Sequence, residues 1–479
     1  MRVMLTKVLF VEPPKDYWFV MGEYLPPPYG ILQLAAYLES KSKDVEIQVV
    51  DCQAMSLDWE GLGKRIESFN PDIVASSGFA TCNVYVTART MEMAKKLKPE
   101  VLTVTGGQHF TSMTQESLET YPEIDIVVRG EGEETLVELV RAVGKKSSFS
   151  KVKGISFRHR AEIRHNPSRP LIENLDELPF PGYHFVENYV HKYHFTMMAG
   201  SKARYGMIEA SRGCPHRCIF CSQWKHWQGT WRHKSVTRVA EEMEFLYQNY
   251  GSKLLWLTDD NFGLDRRMDD LCDELIKRGF SDDVTCFMQA RCDDVVRNPN
   301  LVAKMSKAGI NWLLLGVESH SKNTLDSFHK GTKPEDAVSA VKLLKQNGIF
   351  SQATCIIGAR GDSAESMADL REFVNYLDPD IAIFMILTPF PGTELYEEAK
   401  SKGWIGDSNW ANYDMVHAIM PTETLTREQV QHELYKCYRS FYGSWHRRFQ
   451  SVFSENKIKR RVYRYMATQN VLRQLKSLV

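Results

Sequence analysis

The sequence predicts an α/β protein: an N-terminal doubly wound parallel sheet, then a partial (β/α)6 barrel, then a mostly helical C-terminal region. Three observations carry this. At 479 residues the chain is too long for one ordinary core. Short apolar runs alternate with stretches of helical spacing twice over, which is the pattern of parallel sheets with crossover helices. After Trp404 the alternation stops and helical spacing continues from REQVQHELYKCYRSFYGSW onward. The divisions expected are 1–145, a connector over 146–203, the barrel over 204–405 and the helical region over 406–479.

In the first series KVLFVEP reads as a strand ended by Pro13 and Pro14, and YGILQLAAYLES as a helix. EIQVVDC, LGKRIESF, DIVASSGF, TARTMEMAKKLK, VLTVTGG and DIVVRGEGEE leading into TLVELVRAVG continue the alternation. Ligands bind at the carboxyl ends of the strands in such sheets. Here those ends carry Ser76, Ser77 and Gly78, then Gly106 and Gly107, then Gly130, Glu131 and Gly132, with glycines where a ligand approaches backbone closely. In the connector KGISFRHRAEIRHNPSRP reads as a hairpin and LDELPFPGYHF as a proline-broken loop. The second series has six strand-like runs: MIEASRG, KLLWLTDDN, VTCFMQAR, NWLLLGVES, SQATCIIGA and IAIFMILTP. Six pairs imply an open barrel with its chemistry at the strands' C-terminal ends.

With 43% hydrophobic and 25% charged residues and 60 Lys+Arg against 60 Asp+Glu, the chain reads as a folded protein, not a disordered or globally basic nucleic-acid-binding one. No apolar run reaches the roughly 18 residues of a membrane span. MRVMLTKVLFVEPP is short and lacks a small-residue cleavage site, so the expected location is the cytoplasm, with no membrane contact.

Of ten cysteines, seven stand singly in apolar or mixed segments and read as buried thiols. Cys214, Cys218 and Cys221 lie together in SRGCPHRCIFCSQW, directly after the first barrel strand. Three thiolates offered to a centre that normally takes four ligands leave one position open. A structural zinc site wants a fourth Cys or His at zinc spacing, and His216 inside the loop is badly placed to supply it. A four-iron four-sulfur cluster with one iron free fits the spacing best. Trp224, Trp227 and Trp231 follow, either walling a cavity or packing the loop.

This loop, at the head of such a barrel, resembles the radical S-adenosylmethionine superfamily over about residues 204–400. The resemblance implies that Cys214, Cys218 and Cys221 hold a 4Fe-4S cluster whose open iron binds S-adenosylmethionine, cleaved by one electron to a 5′-deoxyadenosyl radical. Phe220 matches the aromatic bordering the adenine. Where the superfamily usually has a Gly-Gly-Glu type motif for the methionine amino group, this chain has Asp259, Asp260 and Asn261, the TDDNF form seen in cobalamin-using members. Gln289 and Arg291 match contacts to the methionine and ribose, and Glu318, Ile357 and Gly358 later contacts to ribose and adenine. Carboxylates and amides suit an ammonium or hydroxyls, and an arginine fork suits a carboxylate. Each has a plainer alternative as a helix cap or ion-pair partner.

The first series resembles the cobalamin-binding domain of that subgroup in PPPYGILQLAAYLE, DIVASSGF, TGGQHFT and RGEGEETL. This implies cobalamin contacts from Tyr29, Gly30, Ser76, Ser77, Gly106, Gly107, Gln108, His109, Gly130, Glu131, Gly132 and Glu133. No Asp-x-His-x-x-Gly segment is present, so cobalt is expected to lack a histidine from this protein, with His109 a hydrogen-bonding group.

The activity implied is C-methylation of an unactivated carbon from methylcobalamin after hydrogen abstraction, with a small electron donor such as flavodoxin or ferredoxin. A ring-forming cobalamin enzyme is the alternative; a tRNA methylthiotransferase and a non-enzymatic cofactor carrier rank below it. Relatives methylate antibiotic precursors, phosphonates, hopanoids and peptide or protein side chains, including residues of methyl-coenzyme M reductase. From Phe441 to Val479 nine Lys and Arg stand against the single acid Glu455, which is first of all a solvated helix face. That basic tail, with no obvious lipid-facing amphipathic segment, tilts the substrate toward a peptide or protein side chain.

Overall fold

The computed structural model describes residues 5–15, 24–78, 80–160, 162–195, 203–279 and 281–476, with backbone alone at His446 and 469–476. Met1–Met4, Phe79 of DIVASSGF and the side chains of Arg473 and Lys476 in the basic tail therefore lie outside the described residues.

The first sheet contains β1 (Thr6–Glu12), β2 (Val45–Asp51), β3 (Ile73–Ser77), β4 (Leu102–Gly106), β5 (Ile126–Val128), β6 (Ile155–His159) and β7 (Glu162–His165), ordered β2-β1-β3-β4-β5-β6-β7. The first five are parallel; β6 and β7, the hairpin read in the connector, add antiparallel to β5. Buried residues such as Val8, Leu9, Phe10 and Val11 face helices on both sides, which is why these strands read as unbroken apolar runs. The order reverses between β1 and β3, the switch point of such sheets, so their carboxyl ends open a crevice.

The second sheet is six parallel strands in sequence order: β8 (Arg204–Ile208), β11 (Ser252–Leu257), β12 (Thr285–Arg291), β13 (Ile310–Glu318), β14 (Phe350–Ile357) and β15 (Ile381–Ile386). The run MIEASRG, read as one strand, is divided. β8 ends at Ile208, and β9 (Ser211–Gly213) leaves the sheet to pair antiparallel with β10 (Trp231–His233). The break occurs because Ala210 N–H and the Ser211 hydroxyl turn to the Asp259 carboxylate.

An open sheet leaves unpaired backbone at both edges, and here tyrosines fill it. On β15 the Tyr442 hydroxyl accepts from Ala382 N–H and donates to its carbonyl, at 3.1 and 2.8 Å. Tyr438 does the same at Phe384, at 3.3 and 3.0 Å. Both tyrosines lie on the helix Arg427–Tyr442, so the helical region takes the place of a seventh strand. At the opposite edge the Tyr183 hydroxyl serves Met207 N–H and C=O of β8.

The connector joins the two sheets. Tyr183, Val186, Val190, Tyr193 and Phe195 belong to one apolar core running from Val8 of β1 to Trp312 of β13. No described helix is long and apolar enough to cross a membrane. One expectation is corrected: the helix Trp445–Val452 and the residue after it expose Trp445, Phe449 and Phe453 at four-residue spacing, so the tail does carry an apolar face.

Candidate functional site

The cysteine loop is held at its base by the β9/β10 hairpin, with Gly213 opposite Trp231. Gly213 has φ +92°, and a Cβ there would lie 2.1 Å from the Thr230 carbonyl oxygen, so only glycine closes this hairpin. Cys214, Cys218 and Cys221 follow directly. Cys221 N–H and Trp224 Nε1 both donate to the Cys218 carbonyl, each at 3.1 Å. Trp227 Nε1 donates to the Asp260 carboxylate at 3.2 Å and Trp231 Nε1 to the Asn261 carbonyl at 2.9 Å. The three tryptophans thus pack and pin the loop. Phe220 sets its ring on Phe328, centroids 5.2 Å apart.

The barrel residues read from sequence meet this loop from the strand ends, with unlike tasks. Asp259 is fully engaged by Ala210 and Ser211, so it fixes the start of the cysteine loop. Asp260 accepts from Gly213 N–H and Trp227 and acts electrostatically on Cys214 and Cys221. Burial and the neighbouring Asp259 push its carboxyl up to about 7, and burial pushes Asp259 up to about 6. Asn261 spends its side-chain oxygen on Gly263 N–H. Gln289 lies 3.5 Å from the Asp259 carbonyl. Arg291 donates to Asp293 at 3.0 Å and to the Lys330 carbonyl at 2.8 Å. Glu318 sits at φ +62°, an uncommon conformation for a residue with a side chain, with its carboxylate on Lys330 Nζ at 2.7 Å. Ile357 ends β14, and Gly358, at φ +82°, donates its N–H to Asp362.

At the carboxyl edge of the first sheet, Gly107 has φ +94°, and a Cβ there would meet Gly78 backbone and Ser77 Oγ at 3.0 Å. Ser76 Oγ and Thr105 Oγ1 are buried without a hydrogen-bond partner among the described residues. Gly106 ends β4, and Gly130, at φ +71°, has open space where its Cβ would be. His109 shares a 3.4 Å hydrogen bond with Thr81 and stacks edge-on against Trp410 at 5.0 Å; burial drops its pKa to about 4, so it is neutral. Tyr29, Glu131 and Glu133, expected at the ligand, have protein partners. The Tyr29 hydroxyl accepts from Glu209 N–H beside β8, while Gly30 is exposed on the helix that Tyr29 begins. Glu131 and Glu133, flanking Gly132, take Arg212 Nη1 and Nη2 at 2.7 and 2.6 Å. Arg212 Nε goes to Glu209 at 2.7 Å, and Arg232 Nη1 reaches Glu131 at 3.0 Å. The physical reason is position: Arg212 and Arg232 sit on the β9/β10 hairpin, and the RGEGEE turn docks on it.

Gln108 is a second direct link between the two edges. Its side chain donates to Gln223 Oε1 and accepts from the Ser222 hydroxyl at 3.2 Å, one and two residues past Cys221. Arg212, Lys330, Ser222, Gln223 and Thr105 were not picked out from sequence. Only Arg212 and Ser222, flanking the cysteine loop, had a local signal.

Burial raises all three loop thiols, Cys221 to about 12, so they bind metal only by losing protons to it. Among the described residues no three Cys, His, Asp or Glu side chains gather closely enough to hold a single ion. Three thiols on one loop, with His216 badly spaced to serve as a fourth ligand, fit an iron-sulfur cluster with an open iron. The orphaned Ser76 and Thr105 hydroxyls and the glycine-lined crevice fit a large ligand rich in polar groups.

The sequence matches two family models: the radical SAM superfamily over residues 208–374 and the B12 binding domain over 21–140. It is 33% identical over 445 residues to an uncharacterised methyltransferase of Pyrococcus horikoshii, covering 92% of this chain and 93% of that protein. It is 31% identical over 422 residues to the anaerobic magnesium-protoporphyrin IX monomethyl ester cyclase of Cereibacter sphaeroides, covering 87% and 67%. In fold it resembles the cobalamin-dependent S-adenosylmethionine radical enzyme OxsB, solved with aqua-cobalamin and S-adenosylmethionine: TM-score 0.74, 18% identity, 98% of this chain and 71% of that one.

Proposed function

The chain belongs to the radical S-adenosylmethionine superfamily, among the members that carry a B12 binding domain ahead of the barrel, and from that premise we propose that it is a C-methyltransferase acting on an unactivated carbon. The observation that carries the reading is Gln108. One side chain at the first sheet's ligand edge bonds both residues that follow Cys221, so the two cofactor sites share a wall. When bound, cobalamin supplies a methyl group, and the cluster with S-adenosylmethionine supplies a hydrogen-abstracting radical.

The residues divide the remaining work. Cys214, Cys218 and Cys221 hold iron. Asp260, whose carboxyl burial and Asp259 push up to about 7, would ionise to receive the methionine ammonium; Arg291, Gln289 and Glu318 orient the rest of that molecule, with Phe220 beside the adenine. Ser76, Thr105, Gly106, Gly107 and Gly130 receive cobalamin. His109, neutral and packed against Trp410, stays off the metal and helps to close the crevice against water. A small electron donor such as flavodoxin or ferredoxin delivers the electron. A peptide or protein side chain remains the substrate class favoured by the basic tail, although the exposed Trp445, Phe449 and Phe453 remove the argument from a missing apolar face.

A ring-forming reaction is the second reading, favoured by the 31% identity to the Cereibacter sphaeroides cyclase. The two part in one experiment: anaerobic reconstitution with iron, sulfide and hydroxocobalamin, then mass spectrometry for 5′-deoxyadenosine and S-adenosylhomocysteine. A methyltransferase makes both, and C218A loses the deoxyadenosine. Deoxyadenosine alone, with candidate substrates present, overturns methyl transfer in favour of ring formation.

A further inference from the structure

Lys330 is a buried cation that the reading above leaves without a task. Its Nζ donates to Glu318 Oε1 at 2.7 Å. The chain builds this pair at some cost. Glu318 lies in the left-handed region at a register shift in β13, His329 (φ +54°) and Gly331 (φ +71°) twist the turn on either side of Lys330, and Gly316 leaves the hole the pair fills. A Cβ at 316 would lie 2.6 Å from both Glu318 Oε1 and Lys330 Nζ. Strain at several positions that converge on one ion pair marks a geometry maintained for use.

The pair also lies against the cysteine loop. Cys218 Sγ is 4.0 Å from the carbonyl of His329, the residue before Lys330, and Ile219 N–H donates to the Phe328 carbonyl at 3.1 Å. Arg291, whose Nη2 donates to the Lys330 carbonyl at 2.8 Å, brings a second positive charge to the same turn. The Glu318 carboxylate on its Nζ keeps the buried Lys330 ammonium charged.

We propose that Lys330 is a positioning residue that serves as the fixed counter-charge of the cysteine loop, holding Glu318 at the strand end and easing electron uptake by the cluster bound through Cys218. A positive charge in a buried setting favours the more negative, reduced state of a neighbouring centre. The inference rests on the cysteines holding a cluster. If wild-type protein takes up no iron and sulfide, that reading fails first, and the two failures remain distinct.

The test is a potentiometric titration of the reconstituted cluster, followed by electron paramagnetic resonance without S-adenosylmethionine. K330M should need a more negative potential for half reduction, by about tenfold or more in the reduced-to-oxidised ratio at fixed potential. K330R should stay near wild type. E318Q, which removes the opposing negative charge, should move the potential the other way. A purely structural role would leave the potential unchanged or shift K330M and E318Q in the same direction, and either result overturns the proposal. Should K330M load no cluster, E318Q and K330R still decide it: no upward shift in E318Q, or a large shift in K330R, sinks the idea.

Discussion

Asp260 shows how a single residue acquires its chemistry from its surroundings. TDDN in a sequence is equally a helix cap, but burial and Asp259 drive the Asp260 carboxyl from 3.8 up to about 7. An acid raised in this way makes the folded state bind a proton that the unfolded chain has lost, so its contribution is full below about pH 4 and fades as pH rises to about 7. The apo protein should therefore lose stability across that interval. D260N keeps an acceptor for Trp227 and cannot ionise; it should flatten the decline by an amount on the order of 1 kcal/mol, read as a smaller fall in Tm between pH 5 and pH 8. A Tm decline as steep in D260N as in wild type would assign the effect elsewhere. Gly213 makes the same point for backbone: the Thr230 carbonyl, seventeen positions along, decides that no side chain fits there.

Among the elements, the β9/β10 hairpin decides most. Sequence pattern extends the first barrel strand through MIEASRG, because periodicity does not register that Asp259, on the neighbouring strand end, captures Ala210 and Ser211. The displaced hairpin carries Arg212 into a pocket of Glu131, Glu133 and Glu209. Removing one partner of such a buried group leaves charge without compensation, so R212A should cost roughly 3–5 kcal/mol in denaturant unfolding. A loss under about 1 kcal/mol would mean that Arg232 takes over these carboxylates. At the other edge, Tyr438 and Tyr442 replace a missing strand. Y438F and Y442F should each cost roughly 1–2 kcal/mol while iron and sulfide loading stays at the wild-type level.

At the scale of the whole molecule, the two sheets are joined by more than a linker. The connector residues Tyr183 and Tyr193 lie in the shared core, the Tyr183 hydroxyl fills the β8 edge, and Tyr193 donates to Asp51 at the end of β2. The first sheet and the barrel should therefore unfold together, giving one calorimetric transition for the wild-type apo protein. Two resolved transitions would mean that the Arg212 cluster and this core couple the halves only weakly. The coupling matters to the chemistry, since Gln108 on one half bonds Ser222 and Gln223 on the other.

What the sequence determined by itself is what short-range pattern encodes: the alternation of strands and helices behind both sheets, and the spacing of Cys214, Cys218 and Cys221 for the chemistry of the loop. Glycines at strand ends, Gly107 and Gly130 among them, were legible because a backbone conformation is a local property. Only the tertiary structure decided which polar groups remain free. Glu131 and Glu133 are read from sequence as ligand contacts, and only the fold shows that Arg212, about eighty residues away, pairs with both. Lys330 was not singled out by any local pattern, and only in the fold do Gly316 and Glu318 close around it. A charge's partner is set by distance in space, and that information resides in the fold.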